Sequence, residues 1–540
     1  MTPERALPRW LWALTLLALT APFWDLGHPL IEVDDARYAE VPRVMALSGD
    51  WATPKLNGLD YVEKPPLWYW MCAASYKVFG VSEAAAHLPL ALLAVLALLG
   101  TAWLGSWLYN PAVGLTSAVI LGTGGLFLFL SRYITPDLPL TVFLLWSSGM
   151  ALRALLRPED GAWAAPAAWA FAGLAFLSKG LVGLVFPAGW VFWLCVLFPQ
   201  TRRGFKNFLH PAGPALFLAI VAPWFILMER RHPGFLHFFF TEQHFQRFLT
   251  QKYNRSSPWY FFLVVAPAGL LPWTPVVAAG LLKAARQWRG PDVRGPALAL
   301  WSAMVLLFFS KSQSKLVSYI LPVFPHLAIL GAAALQAPAS AWLARGSWAL
   351  GALLLAAGAV LASLGSRPPW GGLLPPGLVA SAALGAAVLG AGLLTYGRSR
   401  RGRDVLALGA AGLAFGLASA FGLRAASPLV SAHEIGREIA ARRQPGDMVF
   451  AYGTYLHGVP FYTGRPYDRM INWVGELHYA QRDQANTGAF GDDDDIRALP
   501  AAGHKVFIVL KRREASHVAG LGGPGKAQVT YFGDWALAVY

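Results

Sequence analysis

The chain has 540 residues, is 56% hydrophobic and is only 14% charged, where a soluble domain carries about 25% charged residues. Its formal net charge is +15, but the basic residues punctuate apolar runs instead of forming a stripe interleaved with aromatics, which argues against a nucleic-acid surface. Apolar runs of about 20 residues imply membrane-spanning helices, because backbone amides in lipid must pair internally. The short alternating segments of a transmembrane barrel do not appear. Cys72 and Cys195 lie far apart in apolar surroundings and read as small hydrophobes without a disulfide framework.

In chain order, residues 10–22 follow Arg5 and Arg9 but no small-residue cleavage site comes after them, so they read as an uncleaved first helix. About thirteen spans are predicted, centred near Leu17, Val95, Ile120, Leu145, Phe171, Trp190, Ala219, Ala266, Leu306, Ile329, Leu355, Ala386 and Gly412. With a cytoplasmic N-terminus, the inner loops hold Arg153, Arg157, Arg202, Arg203, Lys206, Lys283, Arg286, Arg289, Arg294, Arg345, Arg398, Arg400, Arg401 and Arg403. The short outer loops hold only Lys179, Lys311, Lys315 and Arg367. This bias follows the positive-inside rule and leaves the C-terminus outside. Residues 1–424 are thus a transmembrane domain with larger outer loops at 28–80 and 229–258. In the first of these, 35–48 and 65–79 read as amphipathic helices lying along the membrane interface. Residues 425–540 read as a small α/β domain outside the membrane, with a helix over 431–443 starting near a serine cap and strands over 448–452 and 505–510. Asp492 to Asp495 lack the ligand spacing of a calcium loop and read as a solvated turn.

The outer loops carry the chemistry. Asp34 and Asp35 follow the first span, with Arg37 and Tyr38 one turn on if a helix begins there. A helix cap with solvated charges explains these acids equally well when they are taken alone. Asp137, after Arg132, opens a span on the same outer face. A third cluster holds Glu242, His244 and Arg247, and a fourth loop holds Lys311 and Lys315 before Tyr319. Carboxylates beside a bilayer are costly unless paired or employed. Acids orient sugar hydroxyls or remove a proton, while Lys64, Arg247, Lys311 and Lys315 suit a phosphate leaving group. Tyr38, Tyr61 and Trp68 suit a sugar face or a lipid groove. A donor presented from the membrane, a polyprenyl-phosphate sugar, fits an outer site better than a soluble nucleotide sugar. A transporter is the rival class, but its acids sit near the midplane among inverted repeats, whereas these cluster at one rim.

The stretches Asp34-Asp35-Ala36-Arg37-Tyr38-Ala39-Glu40, Gly49-Asp50-Trp51 and Glu63-Lys64-Pro65-Pro66, with Arg132 and Asp137, Glu242 to Phe248, and Lys315 to Pro322, occur in this order along the chain. In this the chain resembles the bacterial 4-amino-4-deoxy-L-arabinose lipid A transferases, within the wider group of membrane glycosyltransferases that includes protein O-mannosyltransferases. The resemblance implies an α-helical polytopic membrane protein of the C-type glycosyltransferase fold, in the bacterial inner membrane, with its active site and C-terminal domain facing the periplasm. It implies transfer of the aminosugar from undecaprenyl phosphate to a lipid A phosphate with inversion, a lipopolysaccharide modification tied to polymyxin resistance. Another acceptor, a protein serine or threonine or another glycolipid, is the alternative. The implied catalytic residues are Asp34, Arg37, Tyr38 and Asp137. Tyr61, Lys64, Arg247, Lys315 and Tyr319 are implied to bind substrate and lipid phosphate. Glu63 and His244 resemble a pair able to hold a divalent cation such as zinc, with no cofactor required. The chain is expected to act as a monomer with no nucleic-acid partner. It departs from the enteric enzymes at Lys64-Pro65-Pro66-Leu67, which has the form of the wider group, and its C-terminal domain carries no motif to match.

Overall fold

Apolar runs that must satisfy every backbone amide without water close their hydrogen bonds within helices, and helices dominate here. The computed structural model describes residues 7–246, 257–337, 340–365, 374–398, 401–484, 488–498, 505–522 and 527–540. The chain divides into two units. One comprises Met1–Leu26, Lys64–Trp68 and Leu88–Gly422; the other comprises Gly27–Glu63, Tyr69–His87 and Leu423–Tyr540.

In the first unit, all thirteen predicted centres fall in helices, from α1 (Arg9–Thr20) to the helix Arg401–Val430. Eight helices among the described residues are long and apolar enough to cross a membrane, or up to ten if two sharply bent pairs each count as one. The chain is therefore a multi-pass membrane protein. Helix starts follow local chemistry. Asn110 accepts the Val113 N–H at 3.0 Å and Pro111 stands at the first helical position of Pro111–Gly122. Small residues let helices approach closely where lipid supplies no hydrophobic drive. Between Ala341–Gly365 and Pro376–Leu393, a Cβ added at Gly351 would lie 2.8 Å from the Gly390 carbonyl oxygen. Several polar groups inside this unit are tied to partners. Arg132 donates to the carbonyls of Gly416 at 2.9 Å and Ala21 at 3.1 Å, and Ser148 meets His326 at 2.9 Å.

In the second unit, α2 (Asp34–Ser48) starts where the acidic motif predicts. It does not lie along an interface. Nearly every residue from Asp35 to Ala46 is buried, whichever way it faces, so α2 is a core helix whose charged side chains are paired. Glu40 and Arg43 form a buried two-pronged pair at 2.6 and 2.8 Å. The predicted helix over 65–79 is α3 (Leu67–Phe79), and Tyr69, Cys72, Ala73 and Tyr76 bury one stripe of it. Both cysteines are free thiols, Cys72 buried and Cys195 half-buried.

The residues after 423 form a six-stranded sheet with strand order β5-β4-β3-β6-β8-β7. Its strands are β3 (Met448–Tyr452), β4 (Arg469–Ile471), β5 (Phe490–Gly491), β6 (Val506–Lys511), β7 (Gln528–Phe532) and β8 (Trp535–Val539). The first four run parallel, and β8 and β7 close one side antiparallel. Central parallel strands read as unbroken apolar runs because both faces are covered. Phe450, Ile508, Leu510 and Ala538 accordingly meet in one core with Val518 and Ile496. The helix expected over 431–443 is His433–Arg442, and the Ser431 hydroxyl accepts the His433 N–H at 3.2 Å. The run of four aspartates is not a simple turn. Asp492 caps the short helix Asp493–Arg497, and Asp495 returns a bond to the Asp492 N–H, a reciprocal capping box.

A hairpin joins β1 (Lys55–Leu56) to β2 (Leu59–Asp60) through Asn57-Gly58, both at positive φ (53° and 76°), the pairing a tight two-residue turn requires. Asn57 also fastens the hairpin to the C-terminal part of this unit. Its side chain accepts the Tyr467 N–H at 2.8 Å and the Tyr455 hydroxyl at 3.2 Å, and donates to the Tyr467 carbonyl at 3.1 Å. Asn57→Ala removes three buried bonds and puts a Cβ without a local partner at positive φ. The expected cost is about 2–4 kcal/mol. It is read as a lower unfolding temperature and as faster proteolytic cleavage within residues 50–62; unchanged protection there would refute the fastening role.

Candidate active site

In the second unit the first-loop motif is assembled around one guanidinium. Asp34 opens α2, and Arg37, one turn later, meets its carboxylate in an ion pair. On its other side Arg37 donates to Glu476 Oε1 at 2.7 Å. Its plane sits over Tyr38, 5.1 Å from the ring centre, and near Tyr61 at 6.0 Å. The Tyr61 hydroxyl donates to Glu63 at 3.4 Å, and both residues are buried. Asp34, Arg37, Tyr38, Tyr61 and Glu63 thus stand together as the sequence led us to expect.

The charge chain then continues through residues that sequence reasoning did not single out. Glu476 meets His457 Nε2 at 2.7 Å, and Glu32 accepts the backbone N–H groups of His457 at 2.9 Å and Gly458 at 2.6 Å. Burial alone would drive Glu476 toward its neutral acid, but the charges of Arg37 and His457 outweigh it and hold the carboxyl far below the usual range. Burial likewise opposes charge on His457, yet Glu476 and Glu32 raise the imidazole above its ordinary value. No local signal marks Glu476 or His457, since they lie more than 400 positions from Arg37 and only the fold brings them there.

In the first unit, Asp137 heads the helix Asp137–Leu156 and is buried. It pairs with Lys179 at the end of the helix Gly161–Lys179, and it accepts the Ser318 hydroxyl at 2.9 Å. The Lys179 ammonium lies 4.1 Å from the centre of the Tyr319 ring. Asp137 and Tyr319 therefore belong to one cluster whose cation is Lys179. The sequence did carry a sign of it, a lone lysine ending an apolar helix on the side that the charge bias predicts to be outer. Lys315 is nearly buried and bound to carbonyls, those of Ser257 at 2.9 Å and Ser312 at 2.7 Å. Lys64 is half-buried. Arg247 and the side chain of His244 lie outside the described residues, and the expected Glu63–His244 cation pair lies outside them as well.

The Arg37–Glu476–His457 chain makes a pH-dependent contribution. Stability from the raised His457 is fully present below the ordinary imidazole value, about 6.5, and fades as pH rises through its folded value. Stability from the depressed Glu476 is present above the ordinary carboxylate value, about 4.3, and fades as pH falls through its folded value. The gap in Tm between the native chain and His457→Gln is expected to be widest at about pH 5–6.5 and to narrow toward pH 9. A gap of constant size across that range would show that His457 is not charged in the folded protein.

A family model described as dolichyl-phosphate-mannose-protein mannosyltransferase matches residues 63–227. The chain is 31% identical over 347 residues to an undecaprenyl phosphate-alpha-4-amino-4-deoxy-L-arabinose arabinosyl transferase of Sodalis glossinidius, covering 61% of this chain and 59% of that protein. It is 32% identical over 377 residues to the transferase of the same name from Pseudomonas paraeruginosa, covering 66% of each. The chain thus spans about three fifths of the length of the first curated relatives it matches. Across whole structures it is similar to ArnT from Cupriavidus metallidurans bound to undecaprenyl phosphate, with a TM-score of 0.83, 26% identity and 98% of both chains covered. A likeness in fold alone extends to the archaeal oligosaccharyltransferase AglB from Archaeoglobus fulgidus, with a TM-score of 0.51 and 12% identity over 98% of this chain and 74% of that one. The fold, the ordered motifs and these likenesses agree, and the chain belongs to the aminoarabinose transferase family of membrane glycosyltransferases.

Proposed function

We propose that this chain transfers 4-amino-4-deoxy-L-arabinose from undecaprenyl phosphate to a phosphate of lipid A, with inversion, at the periplasmic face of the bacterial inner membrane. The observation that carries the reading is the likeness over 98% of both chains to a protein crystallised with undecaprenyl phosphate. In this reading an acceptor phosphate oxygen attacks the anomeric carbon, the bond from that carbon to the donor phosphate oxygen breaks, and undecaprenyl phosphate departs as an anion. Two demands follow, support for positive charge on the sugar and neutralisation of the leaving phosphate.

Asp34 meets the first demand. Its carboxylate is engaged by Arg37, and Arg37 is held by Glu476, so the acid is preorganised to orient the sugar and stabilise developing positive charge. Tyr38 and Tyr61, buried against Arg37, hold the guanidinium in place behind Asp34. Within the first unit, Asp137 and Tyr319 position the Lys179 ammonium, a cation of the kind the second demand calls for, and Lys64 offers another. Lys315, bound to two carbonyls, acts by shaping the loop that leads to Tyr319. A phosphate acceptor is already anionic near neutral pH, so no strong base is needed. The chain acts as a monomer on membrane-borne substrates.

Two measurements test this. Mass spectrometry of lipid A from cells with and without the protein is expected to differ by a pentosamine increment. Unchanged lipid A with lost glycans on secreted proteins would move the acceptor to a serine or threonine. With purified protein, Asp34→Asn is expected to slow transfer to a phosphate acceptor about 10–100-fold, and a hydroxyl acceptor by a further factor of about 100, the usual worth of a general base. Equal losses on both acceptors would refute the positioning role.

A further inference from the structure

We infer that His28, Asp35 and His87 form a divalent transition-metal site, of zinc-like preference, that clamps the start of α2 to the start of α4 (Glu83–Leu108). The three side chains lie in the second unit, all are buried, and one donor atom from each comes within 4.8 Å of the others. Among the described residues this is the group of three such side chains close enough to share an ion.

The hydrogen bonds around His87 make the case. Its Nδ1 lies 2.8 Å from the Glu83 carbonyl, which can only accept, so Nδ1 carries a proton. Its Nε2 lies 3.2 Å from Asp35 Oδ1, which in the carboxylate also only accepts. A neutral His87 would therefore aim a lone pair at a carboxylate oxygen in a buried site. That geometry is satisfied by a second proton on Nε2, by a proton carried on Asp35 Oδ1, or by a cation bound by both atoms, and the third donor group, His28, beside them favours the cation. Donors on one tetrahedral zinc stand about 3.3 Å apart, given metal–nitrogen and metal–oxygen distances of about 2.0–2.2 Å, so the Nε2–Oδ1 edge already has the length of a shared ion.

The surroundings match what metal ligands require. Second-sphere bonds fix ligand tautomer and direction, and here the Glu83 carbonyl fixes His87 while the Ile31 N–H holds the other Asp35 oxygen at 2.9 Å. The His28 ring stacks on His87 with centroids 4.1 Å apart, which puts the third ligand beside the first. Two imidazoles and one carboxylate favour zinc over calcium or magnesium, which want oxygen donors. The site shares no residue with Glu63 or His244, and it does not depend on the sugar-transfer reading. Its consequence is structural. Asp35 is the neighbour of Asp34, so an ion there fixes the first turn of α2 on which Asp34 and Arg37 stand.

The test uses the full chain in detergent, stripped with a chelator, desalted and titrated with Co²⁺ and then Zn²⁺. One equivalent of Co²⁺ is expected to bind with visible absorption of a low-coordinate nitrogen–oxygen site, to be displaced by one equivalent of Zn²⁺, and to raise Tm. His28→Ala and the volume-conserving His87→Gln are expected to lose all three effects, while Glu63→Gln and His244→Ala keep them. A native chain that folds but takes up no stoichiometric Co²⁺ overturns the site without any variant. Uptake that survives both histidine substitutions, or that is abolished by Glu63→Gln, overturns it as well. Loss of sugar transfer with metal binding intact would count only against the proposed reaction.

Discussion

Arg37 is the residue on which the organisation of the second unit turns. A buried guanidinium is always charged and presents its donors in a fixed fork, so it has to be answered from more than one direction. Asp34 answers from the same helix and Glu476 from the C-terminal segment, while Tyr38 and Tyr61 supply aromatic faces. Removing one partner of a buried pair typically costs about 3–5 kcal/mol, because the other charge is left unmatched. The acidic loop and the C-terminal segment are consequently one structural object. Glu32 bound to His457 and Gly458, and Asn57 bound to Tyr467, repeat that linkage at other points.

The first unit handles its charges by the same rule under a harsher solvent constraint. Asp137 is buried at the head of a long apolar helix, where an unpaired carboxylate would be expensive. Lys179 and Ser318 answer it, and the Lys179 ammonium also lies over Tyr319. An acid, a cation and an aromatic face are held in one arrangement by three separate helical elements. Such fixed charges need little reorganisation when charge changes nearby, which is why preorganised dipoles and ions stabilise charge better than mobile water does.

Burial of charged motif residues also separates scaffold from chemistry. Glu40 and Arg43 belong to the same run as Asp34, yet they bond each other in two prongs and serve to keep α2 in the core. Asp35 faces His87 and the Ile31 amide. Two adjacent aspartates thus have different partners, one tied to the guanidinium and the other to an imidazole.

The sequence by itself determined the class of this protein. Long apolar runs with basic punctuation have no stable form in lipid except as helices, and all thirteen predicted centres lie in helices. The strand at 448–452 was legible for a similar reason, since a short apolar run ending in turn residues suits a covered strand. The order of motifs identified the family and gave Asp34, Arg37, Tyr38, Tyr61 and Glu63 as neighbours, because most of them share one short helix and the loop after it. Tertiary structure alone decided what answers the charges. Glu476 and His457 sit in stretches without a helical or motif signal, Lys179 looked like an exception to a topology rule, and α2 has the composition of a surface helix while lying in the core. Pattern reading reports which residues a local element presents. Which partner a buried charge meets depends on chain segments hundreds of residues apart, and only their packing supplies it.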